Sequence, residues 1–96
     1  MLERDFQKKL IKEIKTRFPD AVVLKNDARY LQGIPDLSVF CGPKWAMLEC
    51  KNRKSASKQP NQERWVEKMD AMSFSRLIFP ENKEEVLHDL SEFFQS

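Results

Sequence analysis

The chain reads as a single α/β domain spanning residues 1–96, with the element order αβββαβα. Three features predict it. Apolar residues recur at helical spacing before residue 18, three short apolar runs follow in the middle, and a helix then separates a last strand from a final helix. Ninety-six residues are enough for one core, burying roughly 60–70% of the surface that the unfolded chain exposes.

The elements follow in order. Residues 3–17 form an amphipathic helix with Leu2, Phe6, Leu10, Ile11, Ile14 and Phe18 on one side, stopped by Pro19-Asp20. Ala21–Lys25 is a β-branched strand, and NDARYLQG is the loop after it. Asp36–Cys41 and Trp45–Lys51 are two strands joined through Gly42-Pro43. The basic loop NRKSASKQ leads to Pro60, which a helix tolerates in its first turn, and that helix runs to about Met72. Arg76–Phe79 is the last strand, ended by Pro80. Asn82 and Glu85 have capping-box spacing before a final helix that carries Val86, Leu87, Leu90, Phe93 and Phe94. A hairpin followed by strand–helix–strand requires a mixed sheet, with helices on both of its faces.

Composition narrows the function classes. Hydrophobic residues at 41% and charged residues at 33% describe an ordinary globule. No apolar run approaches the roughly 18 residues needed to cross a bilayer, and MLERDFQKKL is charged too early for a signal peptide. No membrane partner is expected, and the expected compartment is the cytoplasm. Cys41 and Cys50 lie in strands without metal-ligand spacing and read as buried thiols. His88 is the only histidine and lies far in sequence from the other candidates, so histidine-based chemistry is not expected.

The net charge of +2 demands no nucleic-acid partner. Its distribution is more telling: Lys44, Lys51, Arg53, Lys54 and Lys58 face one acid, Glu49, in the same stretch. Such a segment suits a phosphate backbone, although a solvated lysine-rich loop has the same composition.

The acidic residues meet through the hairpin. With Gly42-Pro43 as midpoint, opposed residues have numbers that sum to 85, which sets Asp36 across from Glu49. Opposed Cβ atoms lie ~4.5–5.5 Å apart. Side-chain alternation puts Glu49 and Lys51 on one face and leaves Leu37, Val39, Cys41, Ala46, Leu48 and Cys50 as an apolar layer on the other. Trp45 and Met47 share the Glu49 face, where they pack beneath the first helix or line a cleft. Two carboxylates that close repel unless a cation lies between them or one keeps its proton. Asp plus Glu suits magnesium or manganese, with the Cys50 backbone carbonyl as a further ligand. Lys51 is placed to stabilise developing charge or to orient a water. A salt-bridge cluster at a strand end is the plainer reading of the same residues.

Two more positions support a site. On a helical wheel Glu3 falls about 60° from Phe6, which turns a carboxylate toward the protein. Gln62 shares an i, i+3, i+4, i+7 face with Trp65, Val66 and Met69, and an amide on that side usually has a specific partner. Gly33 fits a backbone conformation or close approach that a side chain would block.

Pro35-Asp36 followed by Glu49-Cys50-Lys51, on an αβββαβα plan, resembles the PD-(D/E)xK nuclease superfamily. Glu3, Lys25-Asn26, Gly33-Ile34-Pro35-Asp36-Leu37, Leu48-Glu49-Cys50-Lys51 and Pro60-Asn61-Gln62 look more narrowly like the virus-type replication-repair nuclease (VRR-NUC) domain in its stand-alone phage form. The stretch MSFSRLIFPENKEEVL extends that likeness to the C-terminal part. The resemblance implies hydrolysis of DNA phosphodiesters with Mg2+ or Mn2+. Asp36 and Glu49 would be ligands, Lys51 would act at the nucleophile, and Glu3 and Gln62 would complete the pocket. It further implies a Holliday-junction-resolving or other branched-DNA endonuclease of phage replication or recombination, acting as a homodimer because two symmetric cuts need two sites. Cys50 departs from the larger aliphatic residue common at its position, with little consequence expected where only the backbone is used. Arg29, Tyr30, Arg53, Lys54 and Lys58 are candidate DNA contacts. The competing expectations are a non-catalytic nucleic-acid-binding accessory domain on the same scaffold and a sequence-specific restriction-like nuclease. For the latter, 96 residues leave little room for a recognition module.

Overall fold

A computed structural model describes all 96 residues. The elements are α1 (Glu3–Arg17), β1 (Val22–Lys25), β2 (Leu37–Cys41), β3 (Lys44–Cys50), α2 (Pro60–Met72), β4 (Ser75–Ile78) and α3 (Lys83–Gln95). Order and type agree with the sequence reading; strand ends differ by one residue, because Asp36 and Lys51 lie just beyond the ladder that they flank.

The sheet runs β1-β2-β3-β4 in space, antiparallel for the first two pairs and parallel between β3 and β4. The hairpin needs only two residues to reverse the chain, whereas the parallel pair is reached through α2. Cys41 pairs with Lys44 and Leu37 with Leu48, so the register is the one centred on Gly42-Pro43. Gly42 has φ +61. Positive φ at the first turn position, followed by a proline that must keep φ negative, matches a II′ rather than a I′ turn.

The core lies on one face of the sheet. Leu37 and Val39 of β2, Ala46, Leu48 and Cys50 of β3 and Ile78 of β4 pack with Phe6, Leu10 and Ile14 of α1 and Val86, Leu87 and Leu90 of α3. Each fully buried Leu or Ile here contributes roughly 1.5–3 kcal/mol. Lys44 crosses to the end of α3, where its Nζ donates to the Phe93 carbonyl at 2.8 Å and to Ser96 Oγ at 2.7 Å. A cation at a helix C-terminus meets carbonyls that no backbone amide serves.

Two expectations need correction, and a third, helices on both faces, holds only in part. The Asn82–Glu85 capping box does not form: Asn82 Oδ1 accepts from the Phe79 amide at 2.8 Å, and its Nδ2 donates to the Leu77 carbonyl at 3.0 Å. The side chain is spent on the turn that leaves β4 rather than on the helix. Trp45 and Met47 do not lie beneath α1, which packs on the opposite, Leu48 face. Finally, α2 covers only β3 and β4 and buries none of its residues fully, so the β1–β2 half of its face stays open. Val22, Leu24 and Phe40 there are 55%, 49% and 40% exposed. No helix is long and apolar enough to cross a membrane.

Candidate active site

The start of β2, the end of β3, the loop before β2, the loop after β3 and the first turns of α1 and α2 converge at one end of the central strand pair. Asp36 immediately precedes the first β2–β3 pair, so the observed register carries it opposite Glu49. Its Oδ2 accepts a hydrogen bond from the Cys50 backbone amide at 2.8 Å, which fixes the carboxylate across the strand end. Glu49 is 1% exposed and Lys51 6%. Lys51 Nζ stands 3.5 Å from Glu49 Oε2 and donates to Gln62 Oε1 at 2.7 Å. The inward amide on α2 thus has a specific partner, the lysine two residues beyond the β3 glutamate.

Protonation follows from burial. Glu49 is pushed up to about 7, first by burial and then by the neighbouring Asp36 charge, with Lys51 opposing. Asp36 is also raised by burial, against the pull of the Cys50 amide and Lys51. Glu49 Oε1 is buried without a hydrogen-bond partner. A charged carboxylate with one oxygen stranded in a dry site is costly, so the metal-free pair keeps a proton near neutrality.

Glu3 is exposed rather than turned into the protein, because α1 begins beside the pocket and its first residue stands at the rim. Its carboxyl is nevertheless raised by partial burial, and it feels Lys51 and Asp36. Cys50 points away, into the core. Burial pushes its thiol up, followed by the charges of Asp36, Glu49 and Glu3.

Sequence reasoning missed the latch that holds Asp36. The Asn26 amide donates to the Asp36 carbonyl at 2.8 Å, and its Nδ2 donates to the Pro35 carbonyl at 2.8 Å. Ser38 Oγ donates to Asn26 Oδ1 at 2.9 Å. An Asn at the first position of a loop gives no periodic signal; the Lys25-Asn26 pair in the family-like pattern is the only hint. Gly33 has φ +87, and a Cβ there would lie 2.8 Å from Asn61 Cβ and 3.0 Å from Trp65 Cδ1. Both reasons for a glycine therefore hold. The close approach lets Trp65 Nε1 donate to the Gln32 carbonyl at 3.1 Å, docking the loop on α2.

The candidate DNA contacts lie on the loops around this end. Tyr30 is 90% exposed, and Arg29 is doubly bonded to Asp27 at 3.0 and 3.1 Å, which ties up its guanidinium. Arg53, Lys54 and Lys58 are exposed and lack ion-pair partners in the structure. A shallow cleft of about 310 Å3, lined by Asn26, Asp27, Tyr30, Leu31, Ile34 and Met47, opens beside the loop. Met47 lines it and Trp45 does not. His88 is on the exposed surface of α3, 3.1 Å from Glu92.

No three His, Cys, Asp or Glu side chains are gathered at metal-ligating distance. The donor set is instead two carboxylates and backbone oxygen, and the orphaned Glu49 Oε1 is the atom that a hard cation would satisfy. The residues fit such an ion. Comparison with protein-family models, curated proteins and solved structures finds no match.

Proposed function

We propose that this chain is a metal-dependent endodeoxyribonuclease with a PD-(D/E)xK core of the VRR-NUC kind, cutting branched DNA. The observation that carries the reading is the Asp36–Glu49 pair at a strand end, Asp36 half-buried and Glu49 buried with an unsatisfied carboxylate oxygen, and a lysine held against it by Gln62.

Asp36 and Glu49, with the Cys50 carbonyl, would hold Mg2+ or Mn2+. When bound, such an ion polarises a phosphoryl oxygen and makes a water more acidic. The remaining work belongs to the chain. The Cys50 amide holds Asp36 in place, so that carboxylate needs no reorganisation when a phosphate arrives. Lys51 presents its ammonium where negative charge builds on the phosphorus oxygens as the P–O bond to water forms and the opposite ester bond breaks. Gln62 sets the direction of that ammonium. Glu3 lies at the rim, with a raised carboxyl suited to exchanging a proton with solvent. Arg53, Lys54 and Lys58 line the approach of a backbone, and Tyr30 offers an exposed ring.

A cleavage panel of duplex, flap, fork, four-way junction and single strand, with magnesium, manganese or chelator, tests the reading. Metal-dependent nicking that Asp36→Asn and Glu49→Gln abolish is expected, with Lys51→Ala lowering it by on the order of 10²–10³. Junction binding without any nicking across metals and pH would instead make the chain a non-catalytic accessory domain. Two symmetric cuts call for a second copy, and the open apolar half of the sheet around Val22, Leu24 and Phe40 is the surface we assign to that homodimer.

A further inference from the structure

We infer that the outer face of α1 is a second phosphate-binding track, holding a duplex arm that leaves the candidate site along the helix axis. This rests on the nucleic-acid reading above and extends it to residues outside the basic loop.

Arg4, Lys8, Lys12 and Lys15 follow one another at intervals of four, four and three residues. At 100° per residue they fall within roughly 80° of one another, on the side opposite Phe6, Leu10 and Ile14. Lys9 flanks the row, and Lys8, Lys9 and Lys12 line a groove of about 530 Å3 with Met1 and Asp5. Of the six α1 cations, Arg17 alone has an ion pair, with Glu13 and Glu84. Arg17, Glu13, Lys83 and Glu84 tie up the far end of the helix, and the row itself makes no ion pair, Asp5 being the one carboxylate in its groove. A row kept only for solubility needs no such alignment.

Position supplies the second argument. The row starts beside Glu3, whose carboxyl feels Asp36 and Lys51, and Asn52 Nδ2 reaches the Met1 carbonyl at 3.4 Å. The N-terminus of α1, where the row begins, therefore adjoins both the basic loop and the acidic pocket. The row spans about 16 Å of helix axis, the length of about five phosphates on one strand. Beyond it α3 carries Glu84, Glu85, Asp89 and Glu92 on its partly or fully exposed positions, a surface that repels DNA and limits the track.

The test is binding in chelator, where no cutting occurs, followed by fluorescence anisotropy on a labelled duplex and a four-way junction across a salt series. Lys8→Gln/Lys12→Gln is compared with Arg64→Gln/Lys68→Gln, which removes equal charge from α2, with circular dichroism checking that each folds. The α1 variant is expected to lower the slope of log affinity against log salt by about 1.8 and to weaken binding at least tenfold, while the α2 variant stays near wild type. Equal losses in both variants, wild-type binding in the α1 variant, or no DNA binding by the parent protein would each overturn the track. So would an α1 row needed for binding phosphatidylserine vesicles but not DNA. Binding through α1 without metal-dependent cleavage sinks the nuclease reading alone; cleavage that is indifferent to the α1 variant sinks the track alone.

Discussion

The two faces of the sheet are built on opposite plans. On the α1–α3 face every buried strand residue is apolar, from Leu37 to Ile78. The buried polar residues Ser38, Glu49, Lys51 and Ser75 all belong to the other face, which α2 covers only in part. One layer is dry and carries the stability. The other keeps charges where water is scarce but a ligand can enter, at a cost in stability that the dry layer offsets.

The sharpest break of that contrast is a pair of substitutions in adjacent β3 residues. Leu48→Ala is expected to lose about 2–5 kcal/mol by leaving a cavity, measurable by urea unfolding. Its neighbour should go the other way. Glu49 keeps a proton up to about 7 in the fold, whereas an unfolded glutamate releases it near 4.3. The folded chain then holds the extra proton between those values, so the contribution is full below the lower one and is lost as pH rises through the higher. Metal-free protein should therefore weaken by on the order of 1–3 kcal/mol between pH 5 and 8. Glu49→Gln should flatten that dependence and raise stability at pH 8 while cleavage disappears. An unchanged pH profile in Glu49→Gln would refute the protonated-pair account.

Smaller effects sharpen the picture at the edges. Gly33→Ala forces a side chain into positive φ and against Asn61, and should cost about 1 kcal/mol or more. Protease sensitivity of the 26–34 loop should rise with it, since that approach holds the loop on α2. Phe40→Glu, on the open half of the sheet, should cost the monomer about 0.5–1 kcal/mol through lost cross-strand contacts with Val22 and Trp45. It should nonetheless shift sedimentation from dimer to monomer. A wild-type protein that sediments only as monomer at working concentrations removes the homodimer.

Much of this is legible in the order of the amino acids alone. Apolar spacing places α1 at Glu3–Arg17, and the Gly42-Pro43 midpoint sets the hairpin register that brings Asp36 across from Glu49. The Gln62 face on α2 also points to its partner, because an inward amide needs one. Three things were not legible. Asn82 has the spacing of a cap yet serves the preceding turn, since a local motif cannot say which backbone amide is nearest. Glu3 shares the angular position of the core residues yet is exposed, because a wheel has no axial coordinate. Asn26 holds the Asp36 loop through contacts that no period records.

The sequence by itself determined the order of elements, the hairpin register and hence which acids are opposed, because period and turn chemistry are local properties of the chain. Only the tertiary structure decided that Glu49 loses its water, that Lys51 is held by a helix eleven residues on, and that half of one sheet face stays bare. Dielectric surroundings and long-range proximity are properties of the packed molecule, and no window of residues contains them.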